Sequence, residues 1–260
     1  MQCLSTKNMY FMTVATGSKG NSSILMCGPT RLIIDDGVSY LRLKRAIESV
    51  GLTFKDFSGI LITHAHSDHV KGLETTLKNT KLKVLVPKEM YPELREIVPK
   101  DRVIFIKENN KLNDTEITLF KTSHDADCSV GFIITYNNKS LAYITDTGYI
   151  NRKYFDMLKH KDIYLIESNH DEEMLRNGPY PPFLKARVLS DHGHLSNKMT
   201  ASYLDKFVDE NTKYVFLAHL SEHNNTEELA LSETKEKLKD RKTKILIAKQ
   251  NEQSELIEVW

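Results

Sequence analysis

The chain has 260 residues, with 36 Lys and Arg against 35 Asp and Glu, for a formal charge of +1. Hydrophobic residues at 40% and charged residues at 27% are ordinary for a folded chain and exclude a disordered, collagen-like or coiled-coil protein. The near-zero charge argues against gripping nucleic acid by bulk charge, although a local basic groove is compatible with it.

Arg31 to Asp36 (RLIIDD) reads as a strand that ends in acids. Tyr40 to Val50 spaces Leu41, Leu43, Ala46, Ile47 and Val50 as a helix, and Gly51 suits its end. Gly59 to Thr63 is a buried-strand pattern running into HAHSDH. Val84 to Val86 and Val103 to Ile106 are further strands, with PKEMYPELREIVP as a helix between them. Ile117 to Lys121 is a strand leading to His124. Val130 to Tyr136 and Ser140 to Thr145 form a hairpin about Asn137-Asn138-Lys139. Ile163 to Ile166 and Tyr214 to Ala218 are apolar strands. A helix is expected over Asn197 to Val208, capped by Ser196, and another from about Thr226 to Leu238, capped by Asn225 with Glu228 as capping-box partner. Ile245 to Ala248 and Leu256 to Val259 would close the second sheet. Strands and helices interleave throughout, which predicts an α/β domain over residues 1–260 with sheets inside and helices outside.

No apolar run approaches the ~20 residues of a membrane-spanning helix. The opening MQCLSTKNMYFMTVATGSKGNSS has no basic stretch followed by an apolar core, so no secretory signal is readable. Cys3, Cys27 and Cys128 have no CxxC spacing and read as free thiols of a reducing, cytoplasmic compartment.

The chemistry is concentrated where polar residues follow apolar strands. His64-Ala65-His66-Ser67-Asp68-His69 places four metal-capable side chains in one short run. Extended backbone lets His64 and His66 point the same way, while Asp68 and His69 reach a second position. Imidazole nitrogen and carboxylate oxygen suit Zn, Mn or Fe. His124, Asp146 and His219 each follow a strand, in SHDA, TDTG and AHLS. Strand ends that converge on one rim of a sheet are where α/β proteins build their sites. Two adjacent metals need about six or seven ligands, which these residues supply. Asp146 is the natural bridge, because a carboxylate can span two cations. Two such ions can clamp the oxygens of a phosphodiester during in-line attack.

This pattern resembles the metallo-β-lactamase superfamily over nearly the whole chain. The resemblance implies a four-layer αβ/βα sandwich with two divalent ions, zinc or manganese, at one rim. It implies that His64, His66 and His124 hold one ion, that Asp68, His69 and His219 hold the other, and that Asp146 bridges them. Asp35 in IIDDG matches an early structural Asp and is expected to orient a ligand histidine. Common dinuclear β-lactamases carry a Cys where this chain has Asp146, so drug hydrolysis is not expected. The segment IESNHDEEMLRNGPYPPFLKARVLSDHGHLSNKMTA, with ATGSKGNSS and AHLSEHNN, is similar to the WalJ (YycJ) subfamily of Gram-positive bacteria. That similarity implies a 5′-to-3′ DNA exonuclease acting on duplex with a 5′ phosphate.

Asp68 and His194 are the candidate catalytic residues. His194, in GHLSN, would bind the scissile phosphate or protonate the leaving oxygen, since histidine titrates near neutrality. Ser196 and His223 are candidate substrate contacts, and the TGSKGNSS loop is either a phosphate cradle or a hairpin turn. Lys19, Lys185, Arg187 and Lys198 are candidate contacts to a nucleic-acid backbone. DNA is the expected partner. The alternatives are a small-molecule or cyclic-nucleotide phosphodiesterase, a thioester hydrolase, and a metal-binding regulator without turnover.

Overall fold

The computed structural model describes residues 5–260. Cys3, expected to be a free thiol, lies outside them; Cys27 is buried and Cys128 half-buried, both as free thiols. Among the described residues, fourteen strands form two sheets of seven. The first holds β1 (Met9–Ala15), β2 (Ser22–Cys27), β3 (Thr30–Ile34), β4 (Gly59–Leu61), β5 (Val84–Pro87) and β6 (Val103–Ile106). The second holds β7 (Asn109–Leu112), β8 (Thr115–Lys121), β9 (Val130–Tyr136), β10 (Lys139–Ile144), β11 (Ile163–Glu167), β12 (Tyr214–Ala218) and β13 (Lys244–Ile247). Finally β14 (Ile257–Val259) returns to pair antiparallel with β1. The expectation that the last strand closes the second sheet is therefore corrected. Its Ile257 and Val259 are buried against the first sheet instead.

Period-two alternation explains the layering. In β10, Leu141 and Tyr143 enter the core between the sheets, while Ala142 and Ile144 enter a second core on the outer face. The same division separates Ile163 and Leu165 from Tyr164 and Ile166 in β11, and Phe216 and Ala218 from Val215 and Leu217 in β12. A strand buried on both faces has to be apolar throughout, which is why these runs stood out in the sequence. Phe11 meets Phe216 edge to face across the interior, with ring centroids 5.3 Å apart.

Helices cover both outer faces. In chain order they are α1 (Tyr40–Ser49), α2 (Ser67–Val70), α3 (Leu73–Asn79), α4 (Tyr91–Leu94), α5 (Phe155–Leu158), α6 (Glu172–Asn177), α7 (Pro182–Val188), α8 (Asn197–Phe207) and α9 (Glu227–Lys237). Leu43, Ala46 and Ile47 of α1 pack with the first sheet; Leu204 and Phe207 of α8 and Ala230 of α9 pack with the second. The single helix expected between β5 and β6 is instead a short 3-10 turn and a four-residue α4. Pro92 fits only a first helical turn, and Pro99 sets the backbone extended before the next short turn. The β9–β10 hairpin closes through Asn137 and Asn138, both left-handed, as the two-residue turn requires. Among the described residues, no helix is long and apolar enough to cross a membrane.

Strands β3 to β6 run parallel, as do β10 to β13. Their carboxyl ends, together with that of β8, hand the chain to the loops that carry the polar residues. That rim is where the site forms.

Candidate metal centre

Each donor is delivered by a strand end. His64 and His66 follow β4, His66 sits just before α2, and α2 carries Asp68 and His69. His124 follows β8, Asp146 follows β10, and His219 follows β12. Asp146 (φ 47°) and His219 (φ 58°) adopt left-handed backbone, as does Asp35 (φ 60°) after β3. Such backbone costs a non-glycine residue energy and is held only where its surroundings fix it. Gly37 matters for the same reason of space: a Cβ there would sit 1.6 Å from the Asp68 carbonyl oxygen. Only glycine lets the loop after β3 pack on the His64–His69 segment.

All seven residues expected as ligands come together. One donor atom each from His64, His66 and His124 lie within 4.8 Å of one another; so do those of Asp68, His69 and His219, and those of His64, His69 and Asp146. Asp146 lies between the two groups. Its Oδ2 is 3.2 Å from His69 Nε2, and its Oδ1 is 3.5 Å from His219 Nε2 and 3.9 Å from His124 Nε2.

The imidazoles are held from behind. His69 Nδ1 is 2.8 Å from Asp35 Oδ2, His124 Nδ1 donates to the Gly193 carbonyl at 3.2 Å, and His219 Nδ1 is 3.1 Å from Glu167 Oε1. Each contact fixes the ring and turns Nε2 toward the centre, as supporting carboxylates and carbonyls do around metal-binding histidines. Thr63 donates its backbone N–H and hydroxyl to Asp35, which secures that carboxylate in turn.

The donor set fits divalent cations. His64 Nε2, Asp146 Oδ2 and His219 Nε2 are buried without a hydrogen-bond partner among the described residues. An orphaned buried polar atom costs about 1–3 kcal/mol, and three in one centre point to a shared partner. Burial and the neighbouring His69 hold His64 well below the usual histidine value, leaving it neutral as a ligand must be. Burial alone would raise Asp146, but His219 and His69 hold it well below the carboxylate range. A permanently ionised carboxylate between two groups of nitrogens suits a pair of cations.

His194 stands beside the centre, its ring stacked 5.3 Å from that of His219. Its Nδ1 is 2.6 Å from Glu167 Oε1 and 3.8 Å from Asp146 Oδ1. Burial opposes its charge, yet Glu167 and Asp146 raise it above the ordinary value. Glu167 was missed in the sequence. It is fully buried at the end of β11, touches both His194 and His219, and accepts the backbone N–H groups of Thr147 and Leu195. The available signal was its position: it ends an apolar strand, as the ligand-bearing segments do. Asn21 was also missed. Its amide reaches Asp68 Oδ2 at 3.1 Å and His69 Nε2 at 2.9 Å, so the β1–β2 loop braces the ligand segment. The TGSKGNSS stretch is thus a hairpin connection tied to the centre.

Other expected contacts fall elsewhere. Ser196 is 2% exposed; its hydroxyl accepts the Met199 N–H and donates to Glu172. The first bond caps α8 and the second ties it to α6. His223 is exposed and packs edge-on against Tyr180, at 6.0 Å, outside the ligand groups. Lys19 is paired with Glu222, Lys185 binds the Arg176 carbonyl, and Arg187 donates to Asp125 at 2.6 Å. Asp125 Oδ1 in turn lies 3.3 Å from His124 Nε2, so Arg187 is fastened to the centre.

Residues 30–219 match the family described as the beta-lactamase superfamily domain. The chain is 35% identical over 227 residues to "Exodeoxyribonuclease YycJ" of Bacillus anthracis, covering 85% of this chain and 86% of that protein. It is 33% identical over 227 residues to "Exodeoxyribonuclease WalJ" of Streptococcus pneumoniae strain D39, covering 85% and 84%. Among solved structures, the metallo-β-lactamase fold protein YhfI from Bacillus subtilis matches with a TM-score of 0.73 at 16% identity, over 97% of this chain and 100% of that one.

Proposed function

The chain belongs to the beta-lactamase superfamily, and on that footing we propose that it is a dinuclear metal-dependent phosphodiesterase, a DNA exonuclease working from the 5′ end. The names of its two relatives support a nuclease. The observation that carries the reading is the pairing of seven convergent donors with the His194–Glu167 couple beside them. Such a substrate is met in the cytoplasm.

His64, His66 and His124 would hold one ion, Asp68, His69 and His219 the other, with Asp146 between. When bound, two divalent ions, zinc or manganese, supply Lewis acidity toward water and neutralise the charge that develops on phosphate. The chain's own contribution is positional. Asp35, Glu167 and the Gly193 carbonyl fix the Nε2 atoms on one point, so no reorganisation is needed when substrate arrives. Asp68 spans toward His69 and His219, with its Oδ2 3.5 Å from each Nε2. His194, pinned through Nδ1 by Glu167, keeps Nε2 for the substrate. Glu167, and after it Asp146, raise its pKa, which favours the protonated form that would bind a phosphate oxygen and donate its Nε2 proton to the departing 3′ oxygen.

The test is a time course with Mn2+ on duplex DNA bearing a 5′ phosphate and a 3′ label. Products shortened progressively from the 5′ end are expected. Intact DNA alongside hydrolysis of bis(p-nitrophenyl) phosphate would instead indicate a small-molecule phosphodiesterase.

A further inference from the structure

Beside the metal centre lies a surface that the proposed chemistry does not use. Phe183 of α7 is 76% exposed, Leu189 just beyond α7 is 45% exposed, and Tyr149 after β10 is 37% exposed. Large apolar side chains so exposed beside a site mark candidate contact surfaces. Two contacts tie this surface to the centre. His194 donates its backbone N–H to the Val188 carbonyl of α7, and Arg187, four residues after Phe183, is bound to Asp125 beside His124. Four residues of helix span about 6 Å, so Phe183 stands one turn out from a residue fastened to the site. The loop carrying Tyr149 abuts the same segment: a Cβ on Gly148 would lie 2.3 Å from the Asp191 carbonyl oxygen and 2.5 Å from that of Ser190.

The flank of this surface is basic. Lys121 ends β8, and Arg152 and Lys153 form the turn three residues after Tyr149; all three are exposed, and none is ion-paired among the described residues. Tyr154 joins two of them: its hydroxyl accepts the Lys121 backbone N–H, and the Lys153 ammonium lies 4.8 Å from its ring centroid. Asp191, exposed beside Gly148, would repel a phosphate and keep it on the Arg152 side. Aromatic faces next to unpaired cations are the equipment of a nucleic-acid strand path, in which bases stack and phosphates are neutralised.

We propose that Phe183 and Tyr149 offer ring faces on which the nucleobases of a DNA end stack, with Leu189 as an apolar contact beside them, and that Lys121, Arg152 and Lys153 hold its phosphates. The inference rests on the nuclease reading and specifies how the substrate reaches that site. It also reconciles a whole-chain charge of +1 with DNA as substrate.

The experiment compares the Mn2+-loaded protein with Phe183→Ala and with the double variant Arg152→Glu/Lys153→Glu, each checked for an unaltered melting temperature. Steady-state kinetics are measured on 5′-phosphorylated duplex DNA at low and physiological salt, and on bis(p-nitrophenyl) phosphate. The expected result is a fall of about tenfold or more in the ratio of kcat/KM on DNA to kcat/KM on the small diester, for both variants. The salt dependence of KM for DNA should also flatten by about two contacts in the double variant. An unchanged ratio in both variants overturns the proposal, and a loss confined to the charge variant overturns the stacking on Phe183. Wild-type protein that cleaves the small diester but leaves DNA intact contradicts the nuclease reading itself, a different outcome from unchanged variants of an active nuclease.

Discussion

His194 and His219 share one buried carboxylate, Glu167, yet do different work in the proposed reaction. His194→Ala should lower DNA hydrolysis by about 10²–10⁴-fold, the usual weight of a proton donor, while metal content measured by atomic emission stays at the wild-type level. Glu167→Gln should lower both, because the support behind His219 weakens; about 10–100-fold in metal affinity is the expected scale. Metal loss in the His194 variant would make it a ligand instead. Asp36 supplies a separate test. Burial, chiefly, raises its carboxyl from 3.8 to about 7. The unfolded chain ionises Asp36 near pH 4 while the folded chain keeps the proton, so stability from this group falls as pH rises to about 7 and is flat above. The difference of about 3 units is worth up to ~4 kcal/mol. In urea titrations of EDTA-treated protein, Asp36→Asn should gain stability relative to wild type between pH 5 and pH 8. Parallel curves for the two proteins would contradict the raised value. At this scale the ligand residues were legible because each is a polar residue at the end of an apolar run. Glu167 shares that position after IYLI, but it stands outside any histidine-rich motif and acquires its meaning from two histidines distant in sequence.

Helix α8 shows how an element can support a site through its cap and its buried contacts. Ser196 caps it, and Asn197 enters a buried network with Ser168 and Asn225 that joins the end of β11 to the start of α9. Ser196→Ala should cost about 1 kcal/mol of stability, read from denaturant midpoints, with KM for DNA unchanged. A raised KM without destabilisation would instead mark Ser196 as a substrate contact. The same network explains why the cap of α9 moved by one residue: Asn225 is consumed inside the protein, and Thr226 accepts the Leu229 N–H instead. Caps and strand cores follow local rules and could be read from the chain. The short helices α6 and α7 could not, because Pro and Gly break their periodicity and their positions depend on contacts such as that between Arg187 and Asp125.

Across the whole molecule, two mixed sheets bring strand ends from residue 35 to residue 219 onto one rim. Parallel strands were foreseeable from their unbroken apolar runs. Which sheet received β14 was not, because Ile257 and Val259 would suit either interior and pairing with β1 is decided by space at the open edge. The rim assembles donors that are far apart in sequence, so the centre is a property of the fold, and its occupancy is the central claim. The most direct test is the metal content of wild type and Asp146→Asn after equilibration with Zn2+ or Mn2+ and desalting, with DNA hydrolysis measured on the same samples. About two ions per wild-type chain are predicted, with loss of at least one ion and of hydrolysis in the variant. A wild-type chain that retains one ion or none while degrading DNA, or a variant with full metal content and full activity, would contradict the account.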